Sequence, residues 1–314
     1  MSKLFRSCFA RVVGLRPRSV LLEFTPSGLE AALRYCLEKS TRYGLESPRT
    51  GRILACRDEP RARLIAVALA RMCQGEVCRL EDFSDWRACL QHLAQLGQLR
   101  VRQRLLEWLS GWSHHSGHEE WFTLLVEGSP TPAMLHAACE LRAIRDDLPI
   151  HQVGRDEDCD IIFPLGQSLG QKRYSIPTGE EPANFDLDDV ASRFWLLQKP
   201  RRLALSRGLS REEGTFPRVE AALRGLRALP EHPVPQGLEL PAEGWALARR
   251  VEHFPWLVAG IGDSPHRLAS YVSTVAREAL DYLDRNESFD PAELALLQGV
   301  RIVIERGLEM LGLA

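Results

Sequence analysis

Residues 265–286 read PHRLASYVSTVAREALDYLDRN, and residues 291–311 read PAELALLQGVRIVIERGLEML. In both stretches the apolar side chains recur every three or four residues, which places them on one face of an α-helix. They are Leu268, Tyr271, Val272, Val275, Ala279 and Tyr282 in the first stretch, and Leu294, Leu297, Val300, Ile304, Leu308 and Leu311 in the second. Such a face is normally buried against other elements. The pattern therefore predicts two long helices packed in a bundle.

The region before these two helices is expected to be helical as well. Residues 217–228 and 244–258 have helical patterns, and the acidic residues within 186–190 suit the first turn of another helix because of the helix dipole. The proline-rich residues 229–240 predict a connector. Residues 186–314 therefore form an all-α domain in this prediction, and we expect that domain to fold by itself.

The first half of the chain has a different pattern, in which strand-like and helix-like segments alternate. The predicted strands are residues 20–24, 52–57, 76–80, 121–126, 151–153 and 160–163, and the predicted helices are residues 28–40, 61–72, 86–96, 102–112 and 132–146. This alternation is typical of βαβ units in a mostly parallel, doubly wound sheet. We therefore expect an α/β domain of the nucleotide-binding (Rossmann) type over residues 1–185, with a polar loop over residues 166–184.

Composition and charge restrict the class of protein. The 314 residues suffice for about two domains, and 45% hydrophobic with 26% charged residues is an ordinary globular composition. The formal net charge of −2 excludes a whole-protein basic field that would attract nucleic acid. No apolar stretch reaches the roughly 18 to 20 residues of a membrane span, no secretory signal is recognisable, and the eight cysteines include no CxxC pair. A cytoplasmic protein with reduced thiols and no membrane contact is expected.

Two elements near the end of the chain resemble a known family. Residues 265–271, PHRLASY, and residues 306–313, RGLEMLGL, are similar to the anticodon-binding domain of arginyl-tRNA synthetases, the helical module called DALR. In that family a helix ending in Phe-Pro precedes the first element, and here residues 247–255, LARRVEHFP, stand in the same place. The resemblance implies that the helical domain binds tRNA.

The resemblance continues upstream in the same order as in the family. Residues 193–197, RFWLL, are similar to the segment that joins the family's catalytic domain to its helical domain. Residues 70–86 and 121–128 are similar to stretches of the catalytic domain itself. By this resemblance residues 1–185 are a synthetase-like domain, whose first 48 residues are an N-terminal remnant.

The two signature loops that hold ATP in the family are missing. A His-x-Gly-His loop should follow the first strand of the sheet, yet residues 57–63 read RDEPRAR. A Lys-Met-Ser-Lys-like loop should precede the helical domain, yet residues 170–179 read GQKRYSIPTG. Adenylation depends on positioned cations and donors that stabilise the transferring phosphates. The α/β domain is therefore interpreted as degenerate and without catalytic residues, and ATP is expected as a cofactor only if the crevice of the sheet still functions.

Two weaker patterns have an ordinary structural interpretation beside a functional one. Gly166, Gly170 and Lys172 follow a predicted strand and could approach a nucleotide phosphate, but a simple turn explains the glycines as well. Residues 114–118, HHSGH, could bind a metal ion, but their polar context suits a solvated loop and their spacing matches no zinc site. No metal site is predicted.

Basic residues are concentrated where the two predicted domains join. Residues 193–227 contain nine basic and three acidic side chains, whereas residues 241–314 contain seven arginines and eleven acids. The guanidinium groups of arginines can bind phosphate, but clusters of charged residues of this kind often belong to a solvated helix face. The candidates for a tRNA contact in this segment are Arg193, Arg201, Arg202 and Arg207.

The predicted helix at residue 265 supplies three more candidates. Pro265 suits the first turn of a helix, where free backbone N–H groups beside His266 and Arg267 can meet an anion. Tyr271 could stack on an unpaired base of the anticodon, but its position in the apolar stripe favours burial in the core.

The sequence supports three functional hypotheses. In the first, the chain is a non-catalytic paralogue of arginyl-tRNA synthetases whose DALR domain binds tRNA, arginine-specific by the resemblance, or a tRNA-modifying or translation protein. In the second, it is an ATP-dependent arginine–tRNA ligase with an altered site, which the missing loops disfavour. In the third, the helical bundle binds protein and no RNA, which the acidic final helices favour.

Overall fold

The computed structural model describes residues 10–16, 19–45, 53–56, 60–73, 75–78, 150–155, 173–178, 188–201, 215–262 and 264–314. The chain divides into two compact units. The helical unit contains Met1–Pro48, Asp188–Gln198 and Leu209–Ala314, and the sheet unit contains Arg49–Leu187 and Lys199–Gly208. In the described part of the chain, no helix has both the length and the apolar character needed to cross a membrane.

The elements are numbered in chain order. The strands are β1 (Ala10–Arg16), β2 (Ser19–Phe24), β3 (Ile53–Cys56), β4 (Glu76–Cys78), β5 (Ile150–Arg155) and β6 (Arg173–Thr178). The helices are α1 (Pro26–Lys39), α2 (Pro60–Cys73), α3 (Val190–Gln198), α4 (Phe216–Arg227), α5 (Ala242–Gly260), α6 (Pro265–Arg285) and α7 (Pro291–Met310). Strands β1 and β2 pair antiparallel with each other.

The described residues of the sheet unit contain four parallel strands in the order β4-β3-β5-β6. Ile53 of β3 pairs with Glu76 of β4 on one side and with Ile150 of β5 on the other. Helix α2 connects β3 to β4 and packs on the sheet. The buried apolar residues of α2 include Ala62, Ile65, Ala66 and Leu69. A strand, helix and parallel strand in this order form a βαβ unit, as the alternating pattern predicts.

One sequence expectation in this half is wrong, and others lie outside the described residues. The expected loop at 166–184 contains β6, which pairs with β5 at one end of the order of described strands. Pro177 suggests a loop, but a strand tolerates proline on a side that makes no ladder hydrogen bonds, and among the described strands β6 has a partner on one side only. The elements predicted between residues 81 and 149, and the strand at 160–163, lie outside the described residues. The Rossmann-type character of this unit stays a prediction.

The helices predicted in the second half are present within two residues of their expected ends. The connector at residues 229–240 contains no helix or strand, as predicted. Helix α3 differs from the expectation because it begins only at Val190, after the acidic residues. The Asp189 carboxylate accepts hydrogen bonds from the backbone N–H of Ser192 at 2.9 Å and from its hydroxyl at 2.6 Å. Asp189 therefore precedes the helix and satisfies a donor of its first turn.

Helices α6 and α7 pack closely along their apolar faces. All the stripe residues predicted in α6 are buried, and so are those of α7 except Leu294, which is half-buried. Gly307 of α7 lies so close to the Val272 side chain that a methyl group on it would overlap Cγ2 of that valine. Ile302 and Val303 are buried as well, so α7 is enclosed on more than one face.

Helix α1 belongs to the helical unit, which differs from the predicted division at residue 185. It packs on α5 and α7 and buries Leu29, Leu33 and Cys36. A methyl group on Gly299 of α7 would lie 2.5 Å from Leu33 Cδ1, so the two helices need a glycine at this crossing. The periodicity of α1 shows which face is apolar, but it does not show which element covers that face.

Helix α1 also holds the connector between α4 and α5. Arg34 donates to the Pro235 carbonyl at 2.7 Å, and the backbone N–H of Leu238 donates to a Glu30 carboxylate oxygen at 3.3 Å. Glu30 and Arg34 also pair with each other, and the Arg34 hydrogen bond lowers the pKa of Glu30. The N-terminal helix is therefore a structural part of the bundle.

Candidate nucleic-acid interface

Helix α5 contains a proline in its interior, and a tyrosine from outside the helix supplies the donor that it lacks. Pro255 has no N–H to donate to the carbonyl of Val251, four residues earlier. The Tyr43 hydroxyl donates to that carbonyl at 2.7 Å, and both residues are buried. At the preceding residue, the Tyr271 hydroxyl of α6 donates to the Arg250 carbonyl. Hydroxyl donors from two other segments thus fix the middle of α5.

The aromatic ring of Phe254 is the centre around which these segments pack. The Tyr43 ring stacks on it with centroids 5.9 Å apart, and the Tyr271 ring lies 6.3 Å away. Gly44 has φ +85°, and a Cβ on it would lie 2.7 Å from Phe254 Cε1. Glycine therefore suits this position both for its left-handed backbone and for the close approach.

Tyr271 lies in the core, which is the alternative that its position in the apolar stripe favours over stacking on a base. Only 8% of its surface is exposed, and its hydroxyl is used inside the unit. Burial raises the pKa of Tyr271 well above its ordinary value. The Tyr271 ring also lies beside the rings of His253 and Phe254, with centroids 6.0 and 6.3 Å away.

The opposite face of α5 carries aromatic and basic side chains. Trp245, Arg249, His253 and Trp256 follow one another at helical spacing, and we call them the α5 outer stripe. Arg249, His253 and Trp256 are exposed and Trp245 is half-buried. Partial burial and the nearby Arg250 guanidinium lower the pKa of His253, so the basic group of the stripe at neutral pH is Arg249.

Trp256 is held in place although its ring is exposed. Among the described residues it is the exposed large hydrophobic side chain, with 42% of its surface accessible. Its Nε1–H donates to Glu252 Oε1 at 3.1 Å, one turn earlier on the same helix. Glu252 is only 7% exposed, and its Oε2 is buried without a hydrogen bond. Burial raises the pKa of this carboxyl to about 7.

Two of the predicted site residues lie next to the end of this stripe. Arg267 is exposed at the start of α6, and its guanidinium contacts the Gly260 carbonyl at 3.4 Å, one turn beyond Trp256. His266 is half-buried. The backbone N–H of Arg267 donates to the Ser264 carbonyl at 3.0 Å, so this donor is used within the chain and not kept for an anion.

Ion pairs separate the arginines of residues 241–314 into occupied and available groups. Arg250 makes two hydrogen bonds to the Glu278 carboxylate, at 2.7 and 2.9 Å. Within the described part of residues 241–314, Arg301 pairs with Glu231 and Arg306 pairs with Glu309. Arg249 forms no ion pair with any described residue. It differs in this from Arg250, the next residue in the sequence, which is paired with Glu278.

The predicted basic segment is only partly described. Arg193 is half-buried in α3 of the helical unit, and Arg201 is half-buried in the sheet unit. Arg202 and Arg207 lie outside the described residues, as do Gly166, Gly170, Lys172 and residues 114–118. In the ranges that the structure describes, no three His, Cys, Asp or Glu side chains come together as a metal site would require.

The strand–helix junction after β3 is the place where the family resemblance implies ATP binding. Only three residues separate Cys56, at the end of β3, from Pro60, at the start of α2. Arg61 in the first turn is 1% exposed, and its guanidinium donates to the Pro200 carbonyl at 2.8 Å. This arginine is therefore engaged by the chain itself.

The structure has an arginyl-tRNA synthetase-like fold. It is similar to the crystal structure of a candidate arginyl-tRNA synthetase from Campylobacter jejuni, with a TM-score of 0.54. The similarity covers 92% of this chain and 98% of the other, at 10% sequence identity. No protein-family model matches the sequence. No curated protein matches it either.

Proposed function

We propose that this protein is a non-catalytic relative of arginyl-tRNA synthetases that binds tRNA through its helical unit. The observation that carries the proposal is the α5 outer stripe, whose exposed side chains include Arg249 and two aromatic groups and no acid. Arg267 lies at the end of this stripe and adds a second exposed guanidinium. Guanidinium groups bind phosphate, and aromatic rings stack on unpaired bases.

The fold supports a relationship to the synthetases, since the likeness extends over nearly the whole chain. The junction between β3 and α2 supports a non-catalytic role. Its sequence, Arg57-Asp58-Glu59-Pro60, places two acids and a residue without an N–H where a phosphate group would need donors. Arg61, the next cation, is buried against Pro200. We therefore propose neither catalytic residues nor a bound cofactor.

In this proposal tRNA contacts the α5 outer stripe and not the whole surface of residues 241–314, because those residues together contain more acids than arginines. Glu278 and Glu309 are paired with arginines, which reduces the repulsion that these acids would exert on phosphate. Arg193, Arg201, Arg202 and Arg207 remain candidates for further phosphate contacts. The tRNA is arginine-specific by the family resemblance, and a tRNA-modifying or translation protein is a further proposed partner in the cytoplasm.

The direct test is a filter-binding titration of the purified protein with total tRNA and with an arginine-accepting tRNA. Phosphate contacts of this kind give dissociation constants of roughly 10⁻⁴ to 10⁻⁶ M, so retention is expected at micromolar protein. If no tRNA is retained up to tens of micromolar at low salt, the proposal fails. The protein-interaction hypothesis then takes its place.

A further inference from the structure

We infer that RNA binding on the α5 outer stripe takes up one proton, and that His253 is the group that accepts it. The inference rests on the proposed function, and it adds a regulation of that same site, because the affinity for RNA then depends on pH near neutrality. In this arrangement the imidazole is neutral in the free protein and becomes a cation when a phosphate group lies beside it.

His253 lies among arginines of two helices. Arg249 and Arg250 precede it by four and three residues, so both lie about one turn earlier on the same side of α5. The His253 ring lies beside the Tyr271 ring of α6, and Arg267 is one turn before Tyr271 on that helix. A phosphate group that binds these guanidinium groups is therefore brought close to the imidazole.

The imidazole has donors to offer to a phosphate group. The His253 side chain is exposed, and within the described part of the chain neither of its ring nitrogens makes a hydrogen bond. An imidazolium has two N–H donors, and its charge makes a hydrogen bond to an anion stronger. A bound phosphate group therefore stabilises the protonated form of His253 more than the neutral form.

Two acids of this region are engaged by other groups. Glu278 of α6 accepts both hydrogen bonds of Arg250, and the buried Glu252 accepts from Trp256. Neither carboxylate pairs with His253, whose pKa is lowered by partial burial and by the Arg250 guanidinium. The imidazole is therefore neutral at pH 7 before RNA binds, and a nearby anion reverses this balance.

The other elements that pack on α5 lie away from His253. Helices α1 and α7 meet α5 where Gly299 lies against Val251, which is about 200° around the helix from His253. The hydroxyls of Tyr43 and Tyr271 donate to carbonyls of α5, so neither competes for the proton. Among the described residues, the charged groups that face His253 are those of α5 and α6.

The test is a fluorescence-anisotropy titration of labelled tRNA between pH 6 and pH 8 at constant salt. The affinity of the wild type should rise as the pH falls, by up to about ten-fold per pH unit, the limit for uptake of one proton. H253Q cannot take up the proton, so its affinity should be nearly constant over this range. H253R has a permanent charge and should bind at pH 8 about as tightly as the wild type does at pH 6.

Two further variants separate His253 from other titratable groups. E252Q removes the buried carboxyl of the preceding residue, and H232Q removes a half-buried histidine of the connector before α5. Both should retain the pH dependence of the wild type. If E252Q loses the dependence while H253Q keeps it, the proton belongs to Glu252 and the inference is wrong.

The remaining outcomes distinguish the inference from the proposed function. If the wild type binds tRNA equally at pH 6 and pH 8, or if H253Q follows the wild type, the inference fails while the proposed function stands. Tighter binding of H253R than of the wild type at pH 8 supports the inference, because a folding defect would weaken binding. If the wild type binds no tRNA at any pH in this range, the proposed function has failed, and this inference fails with it.

Discussion

Tyr43 supplies the hydrogen-bond donor that Pro255 lacks. Its hydroxyl lies 2.7 Å from the carbonyl of Val251, which a non-proline residue at 255 would satisfy from within α5. The two residues are 212 positions apart in the sequence. This contact therefore joins the N-terminal segment to the helix that carries the candidate interface.

The first prediction concerns this pair. Y43F leaves the buried Val251 carbonyl without a donor, so it should lower the free energy of unfolding by about 1–3 kcal/mol in urea titrations. In a P255A background residue 255 has its own N–H, and the same change should cost clearly less. An equal cost in both backgrounds would show that the tyrosine does not compensate for the proline.

The second prediction concerns the N-terminal helix. A fragment of residues 186–314 lacks α1 and Tyr43, and it leaves the surfaces of Gly299 and Phe254 uncovered. Against the expectation from the sequence, this fragment should show no cooperative thermal transition by circular dichroism. Addition of a peptide of residues 25–45 should restore helicity. A sharp transition of the fragment alone would mean that α1 is dispensable.

The third prediction concerns pH. Burial raises the pKa of Glu252 in the folded protein to about 7, whereas an unfolded glutamate titrates near its ordinary value of about 4.3. The folded state therefore binds more protons between these values, and the contribution of this group to stability is lost as the pH rises through 7. E252Q cannot ionise, so its stability relative to the wild type should increase from pH 5 to pH 8.

Urea unfolding of both proteins across this pH range provides the measurement. E243Q, a change of an exposed acid on the same helix, is the control and should show no such increase. A constant difference between E252Q and the wild type would mean that Glu252 does not titrate in this range.

The fourth prediction concerns catalysis. With neither signature loop and with Arg61 held by Pro200, the protein should give no arginine-dependent exchange of pyrophosphate into ATP, with or without tRNA. A heat-inactivated sample sets the background. Exchange above that background would support the ligase hypothesis and refute the non-catalytic one.

The sequence predicts the helices of the bundle well because their apolar spacing is a local property. The stripe of α6, from Leu268 to Tyr282, is buried as its period of three and four residues indicates. The same spacing correctly favours burial of Tyr271. By contrast, the partner of α1 depends on contacts with residues such as Gly299, more than 250 positions away, and no local pattern reports them.

The candidate interface was only partly accessible from the sequence. Arg249 and Arg250 are equivalent in a linear pattern, and only the packing of α6 shows that Glu278 neutralises Arg250. Trp256 follows directly after the Phe-Pro pair and is not among the residues that carry the family resemblance. The signal that could have revealed it is the spacing of Arg249, His253 and Trp256 along the polar face of one helix.

The measurement that tests the central claim most directly is the salt dependence of tRNA binding for a double variant of the interface. R249Q/R267Q should weaken binding and should flatten the slope of log K against log salt by up to about two, because each phosphate contact contributes nearly one unit. R277Q/R285Q removes the same charge from two exposed positions on α6 and should leave the slope close to that of the wild type. Equal slopes for the two double variants would contradict an RNA interface on α5.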